Sequence, residues 1–139
     1  FFAVSGVRLE AGRTFDTRDH ESGAPVVIVS APLAARLWPG RDPLGERLQF
    51  QDTRSADRWA TVVGVAAGTV HHELDVAPGF DIYEPYRQVP ASGPYYLVRT
   101  AGDPGALANA ATAIVGAVDP NQSYLDVQTY EQRVSNRLW

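Results

Sequence analysis

The 139-residue chain has the length of one domain, and 45% apolar against 20% charged residues is a globular rather than a disordered composition. A net charge of −4 excludes the basic surface that nucleic acid or an anionic bilayer would require. The absence of Cys excludes disulfides, thiolate catalysis and Cys-based zinc sites together.

The chain starts at Phe1 and contains no Met, as an excised or processed fragment would. No apolar run approaches the roughly 18 residues needed to cross a bilayer, so the spanning helices of a membrane parent would lie outside this stretch. Residues 7–9 read as a short strand. Gly12-Arg13-Thr14-Phe15-Asp16 then leads into a polar loop over 17–23, from which apolar residues vanish. Val26-Val27-Ile28-Val29 is a β-branched run bounded by Pro25 and Ser30, the pattern of a buried strand.

A helix is expected immediately afterwards. Ser30 stands at its N-cap, Pro32 fits its first turn, and Leu33, Ala34, Leu37 and Trp38 fall on one face. Pro39-Gly40 stops it. Asp42-Pro43-Leu44-Gly45 is a turn, residues 47–50 a strand, and 52–57 a polar loop. The strongest strand covers 59–66, where Gly64 signals a bulge or a close backbone approach. Residues 68–79 read as irregular. An aromatic strand over 80–86 is confined to an edge by Pro85. A further strand is expected at 95–99.

Asp103-Pro104 opens a helix running to Val118, with Leu107, Ala110, Ala111, Ile114, Val115 and Val118 as its buried stripe. Asp119-Pro120-Asn121 ends it, and 124–127 reads as a strand. Thr129 and Gln132 form a capping box for a last helix that runs to Trp139, with Arg133 and Arg137 alongside. Trp and Arg at an open helix end suit a membrane interface. The order predicts an α+β fold, with a mixed sheet, helices packed on one face and split βαβ-like halves, in a single domain over 1–139.

Candidate chemistry is sparse. His71-His72-Glu73, with His20, supplies metal-binding residue types, but adjacent side chains diverge and the i, i+4 spacing of a zinc helix is absent. Asp16, Asp19, His20 and Glu21 offer oxygen ligands for a hard cation, yet lack the EF-hand pattern and read as a solvated connection. Asp81 and Glu84 are three apart on a strand and so face opposite sides. Ser30 sits between strand and helix like a nucleophile elbow, but the flanking Gly residues are missing. Gly64 and Gly68 match no phosphate-binding loop. Tyr83, Tyr86, Tyr95 and Tyr96 are candidates to line a groove. No set meets the requirements of nucleophile, base and orienting group, so no catalytic, cofactor-binding or metal residue is assigned and no cofactor is expected.

Several runs, in order and spacing, resemble a known family: Gly12-Arg13-Thr14-Phe15; Pro25-Val26-Val27-Ile28-Val29-Ser30 with Leu37-Trp38-Pro39-Gly40; Asp42-Pro43-Leu44-Gly45-Glu46-Arg47-Leu48; Val62-Val63-Gly64-Val65; and Ile82-Tyr83-Glu84-Pro85-Tyr86 with Val98-Arg99-Thr100. Together they resemble the MacB-like periplasmic core domain of ABC transporter permeases. The resemblance implies a periplasmic, non-enzymatic domain of an inner-membrane protein, with transmembrane helices of the same permease before and after it. It also implies a cytoplasmic ABC ATPase, a permease dimer and a periplasmic partner protein. The implied task is to transmit ATP-driven conformational change during efflux or export. The contrasting reading is a free-standing periplasmic module that captures a small molecule or peptide between the aromatic strand and the 68–79 segment. A hydrolase would need His71, His72 and the carboxylates to converge.

Overall fold

The computed structural model describes residues 1–51, 58–69, 79–90, 95–118, 128, 129 and 132. The chain divides into two compact units, Phe1–Leu97 and Val98–Trp139.

The first unit is built around a mixed five-stranded sheet. Its elements are a short helix α1 (Phe2–Ser5), β1 (Leu9–Gly12), β2 (Val26–Ser30), α2 (Ala31–Leu37), β3 (Arg47–Phe50), β4 (Arg58–Ala66) and β5 (Ile82–Tyr83). The strand order is β1-β4-β2-β5, with β3 also paired to β4. β2 and β4 run parallel, joined by way of α2 and β3, whereas β1, β3 and β5 pair antiparallel with their neighbours. This is the expected α+β fold with a mixed sheet.

The β-branched run explains the centre. All five residues of β2 are buried, and Val27, Ile28, Val29 and Val62 are fully so. Each such side chain contributes roughly 1.5–3 kcal/mol by leaving water. Val27 and Val29 pack with Leu33, Ala34 and Trp38 of the α2 region and with Ala60, Val62 and Val65 of β4. Leu37 turns outward at 44% exposed, so the buried stripe of α2 is narrower than its spacing predicts.

The Asp42-Pro43-Leu44-Gly45 turn forms as expected. Leu44 N–H donates to Asp42 Oδ1 at 2.9 Å, and Gly45, at φ +83°, donates to Val62 O at 2.8 Å. Gly64 marks both features foreseen for it. The β2–β4 register slips between Val27 and Ile28, passing from Val62 to Gly64. A Cβ at Gly64 would also lie 2.5 Å from Arg13 O, where the incoming chain crosses.

Several expectations are corrected. The first strand is Leu9–Gly12 rather than 7–9, because its ladder to β4 starts at Leu9↔Ala66. Ser30 occupies the N-cap position of α2 but makes no capping hydrogen bond, because its hydroxyl is engaged elsewhere. The aromatic strand shrinks to Ile82–Tyr83, at the sheet edge. Residues 95–99 form no strand and are exposed.

In the second unit α3 spans Pro104–Val118, as expected. Its intended stripe is not buried: Leu107 is 38%, Ile114 65% and Val118 82% exposed. The capping box at its far end is realised, with Thr129 N–H donating to Gln132 Oε1 at 2.9 Å and Gln132 N–H to Thr129 Oγ1 at 3.1 Å. The expected strand at 124–127, and Arg133, Arg137 and Trp139, lie outside the described residues.

Candidate functional site

An open depression of the first unit lies at the β5 edge of the sheet. Its walls are aromatic: Phe1 and Phe2 at α1, Phe15 on the following loop, Tyr83 on β5 and Tyr86 in the turn after it, with Arg87 beside them. Its volume is about 940 Å³ and it is open to solvent. Tyr83 is the hub, its ring centroid lying 5.0 Å from Phe2 and 5.5 Å from Phe1. Phe2 reaches on to Phe15 at 6.5 Å. These separations fall in the range in which aromatic pairs attract beyond simple burial.

Local chain geometry places each wall. Gly12, at φ +75°, lets β1 turn across β4, and Arg13 N–H then donates to Val63 O at 2.9 Å. That fixes Arg13, whose guanidinium grips Asp19 with two bonds of 2.7 and 2.9 Å. Asp19 Oδ2 also accepts from Asp16 N–H at 2.9 Å, closing the loop that carries Phe15. Asp16, His20 and Glu21 are exposed, as a solvated connection requires, but Asp19 is only 4% exposed and forms a charged knot with Arg13 that the composition did not indicate. The guanidinium of Arg13 holds the Asp19 carboxyl below the usual carboxylate range. Arg18, with a contribution from Arg13, does the same for Asp16.

On the opposite wall, β5 is pinned to β2 by Ser30. Its hydroxyl donates to Gly79 O at 3.2 Å and accepts from Asp81 N–H at 3.0 Å, while Ser30 N–H donates to Asp81 O at 2.9 Å. Gln88, in the turn after β5, ties that turn back: its Oε1 accepts from Val26 N–H, and its Nε2 donates to Ala24 O and His20 O. Tyr83 Oη is buried without a hydrogen-bond partner among the described residues. The nearby Thr69 hydroxyl donates to Asp81 Oδ2 at 2.8 Å. Burial pushes the Tyr83 phenol up, and the Asp81 carboxylate adds to that shift.

The sequence-derived candidates separate in space. Asp81 accepts from Thr69, whereas Glu84 pairs with Arg58, so the two carboxylates serve different contacts. Ser30 Oγ is turned to backbone groups. His20 Nδ1 lies 3.2 Å from Ser22 Oγ on the surface. His71, His72 and Glu73 lie outside the described residues. Of the four tyrosines, Tyr83 and Tyr86 line the depression, whereas Tyr95 and Tyr96 are more than 80% exposed and do not. The contribution of Phe1, Phe2 and Phe15 was not legible beforehand. They carry no periodic pattern, and only the antiparallel return of β5 beside β2 brings Tyr83 to them.

Comparison with known proteins places this geometry. The family model described as "MacB-like periplasmic core domain" matches residues 1–129. The macrolide export ATP-binding/permease protein MacB of Neisseria gonorrhoeae is 37% identical over 65 residues, covering 47% of this chain and 9% of that protein. The protein of the same name from Neisseria meningitidis serogroup A matches equally. The matched segment thus spans about a tenth of the length of these relatives. Among solved structures, the periplasmic region of MacB from Actinobacillus actinomycetemcomitans superposes with a TM-score of 0.65 at 18% identity, covering 97% of this chain and 61% of that one. That likeness is one of fold.

Proposed function

The chain belongs to the MacB-like periplasmic core domain family, and from that premise we propose that it transmits ATP-driven conformational change through the permease that carries it. It is an extracytoplasmic domain of an inner-membrane ABC transporter permease. The finer role is a mechanical one. A cytoplasmic ATPase drives the transmembrane helices of the same permease, two permeases work as a dimer, and this domain moves with them while contacting a periplasmic partner or the exported substrate.

The family match over 129 residues supports this reading most directly. The physical character of the first unit agrees with it. A sheet whose centre is fully buried, braced by α2 and by the Arg13–Asp19 knot, behaves as a rigid lever rather than as a deformable clamp. Asp19, Ser30, Asp81 and Glu84 are engaged in holding loops and strands, not in converging on a reacting atom.

The test uses the full-length permease with its ATPase in lipid nanodiscs. This stretch contains no Cys, so one spin label at Arg36→Cys, on the exposed side of α2, reports distances between the two copies. The expected result is a distance distribution that shifts by several ångströms between the nucleotide-free and vanadate-trapped states. Identical distributions in both states would remove the coupling role, and the absence of any inter-copy distance would remove the dimer.

A further inference from the structure

The aromatic depression has a charge asymmetry that the coupling role does not use. Three carboxylates line it, and each is already neutralised: Asp16 by Arg18 and Arg13, Asp19 by Arg13, and Glu84 by Arg58. Arg87 is the remaining cation of the lining. It is exposed, and it makes no hydrogen bond or ion pair among the described residues.

We propose that this depression is a binding site for a small amphiphilic anion, with an aromatic or aliphatic body and one carboxylate or comparable acidic head. The body would lie against Phe2, Phe15, Tyr83 and Tyr86, and the head would meet the guanidinium of Arg87. A volume of about 940 Å³ sits at the upper end of the roughly 300–1,000 Å³ range of small-molecule pockets. The walls are predominantly apolar and, with the three carboxylates paired, carry one uncompensated charge, the composition of a site that gains affinity from burial and orientation from a single polar anchor. Arg presents a planar fork that matches a carboxylate with two parallel hydrogen bonds. A cationic ligand is disfavoured, because every carboxylate of the lining is already spent on a guanidinium. The inference does not rest on the coupling role, since occupancy of the site requires no nucleotide.

The experiment is photolabelling of the full-length permease in nanodiscs, without ATP. The probe is 4-benzoylbenzoate, an aromatic carboxylate that crosslinks on illumination, compared with the neutral 4-benzoylbenzamide. Labelled positions are mapped by mass spectrometry. The expected result is carboxylate labelling concentrated on residues 1–3, 14–17 and 82–87. R87Q, a surface substitution that leaves the walls intact, should lower it about tenfold, the worth of one charge-assisted contact. Amide labelling at the same residues should be weaker and unchanged by R87Q, which also reports that the variant is folded. Labelling without preference for these segments would overturn the proposal. So would equal labelling by acid and amide, or an R87Q variant that keeps its amide labelling and labels with the acid like the wild type.

Discussion

Arg13 and Asp19 form a bidentate pair in which the two terminal guanidinium nitrogens, Nη1 and Nη2, donate, at 2.7 and 2.9 Å, to a carboxylate that is 4% exposed. Because Arg13 is anchored by its own backbone to β4, the pair fastens the 13–23 loop to the sheet and holds Phe15 beside Phe2. Asp19→Asn should therefore destabilise the first unit by about 2 kcal/mol. A fully buried pair would cost more to break, but Arg13 is about a third exposed and water recovers part of the loss. Arg13→Lys should be nearly as costly, because an ammonium cannot reproduce the fork. Urea unfolding of the wild type and both variants measures this, and an unchanged midpoint for Asp19→Asn would refute it.

The same pair sets a pH dependence. Asp19 titrates below the ordinary carboxylate value when folded, because Arg13 hydrogen-bonds its charged form. A depressed folded pKa contributes stability that is complete above the unfolded value of ~4 and is lost as pH falls below it. Unfolding free energy should thus decline on acidification below about pH 4, and the decline should be shallower in Asp19→Asn. Asp16 shifts in the same direction through Arg18, but it lies at the surface, so added salt should weaken its share first.

Ser30 offers a local test of how β5 is held. Its hydroxyl is the acceptor for Asp81 N–H and the donor to Gly79 O, and the residue is fully buried. Ser30→Ala removes the hydroxyl partner of both backbone groups in a part-buried setting, at a cost of about 1 kcal/mol. Hydrogen exchange at the Asp81 amide should accelerate, while that of Val29 in mid-β2 stays slow. Acceleration spread evenly over β2 would mean that Ser30 supports the whole sheet rather than the β5 attachment.

What could be read beforehand follows a physical line. β2, β3, β4 and α2 were legible because each carries its own signal: a β-branched run, alternation, or apolar residues at helical spacing ended by Pro39-Gly40. The Asp42–Gly45 turn and the Gly64 irregularity were legible because few residue types satisfy those backbone demands. The failures concern partners. Tyr95 to Arg99 has strand-forming composition, yet it stays exposed and joins no ladder among the described residues, since strand propensity alone does not make a sheet. The spacing of α3 locates a helix without specifying what covers Leu107 and Ile114. The aromatic site needed Phe2 and Tyr83 brought together from 81 positions apart, which no local pattern encodes.

Two glycines separate steric need from helix propensity. Gly64 faces Gly12 across the β1–β4 ladder, and a Cβ there would lie 2.5 Å from Arg13 O and 3.2 Å from Ile28 Cγ1. The first of these neighbours is backbone and cannot rotate away, so Gly64→Ala must displace the crossing of residues 12 and 13 or spread β4 from β2. The expected cost is about 3 kcal/mol, at the upper end for overpacking, together with loss of the Arg13 N–H to Val63 O bond. Gly116 is the opposite case: it lies inside α3, and an added Cβ meets nothing within 4 Å. Gly116→Ala should stabilise α3 by about 0.5–1 kcal/mol by removing backbone freedom from the unfolded chain. Amide protection along 104–118 should rise in Gly116→Ala, and that along 58–66 should fall in Gly64→Ala. A tolerated Gly64→Ala would show that the strand crossing has slack, and that the position of Arg13, and with it the loop bearing Phe15, is not set by contact with β4.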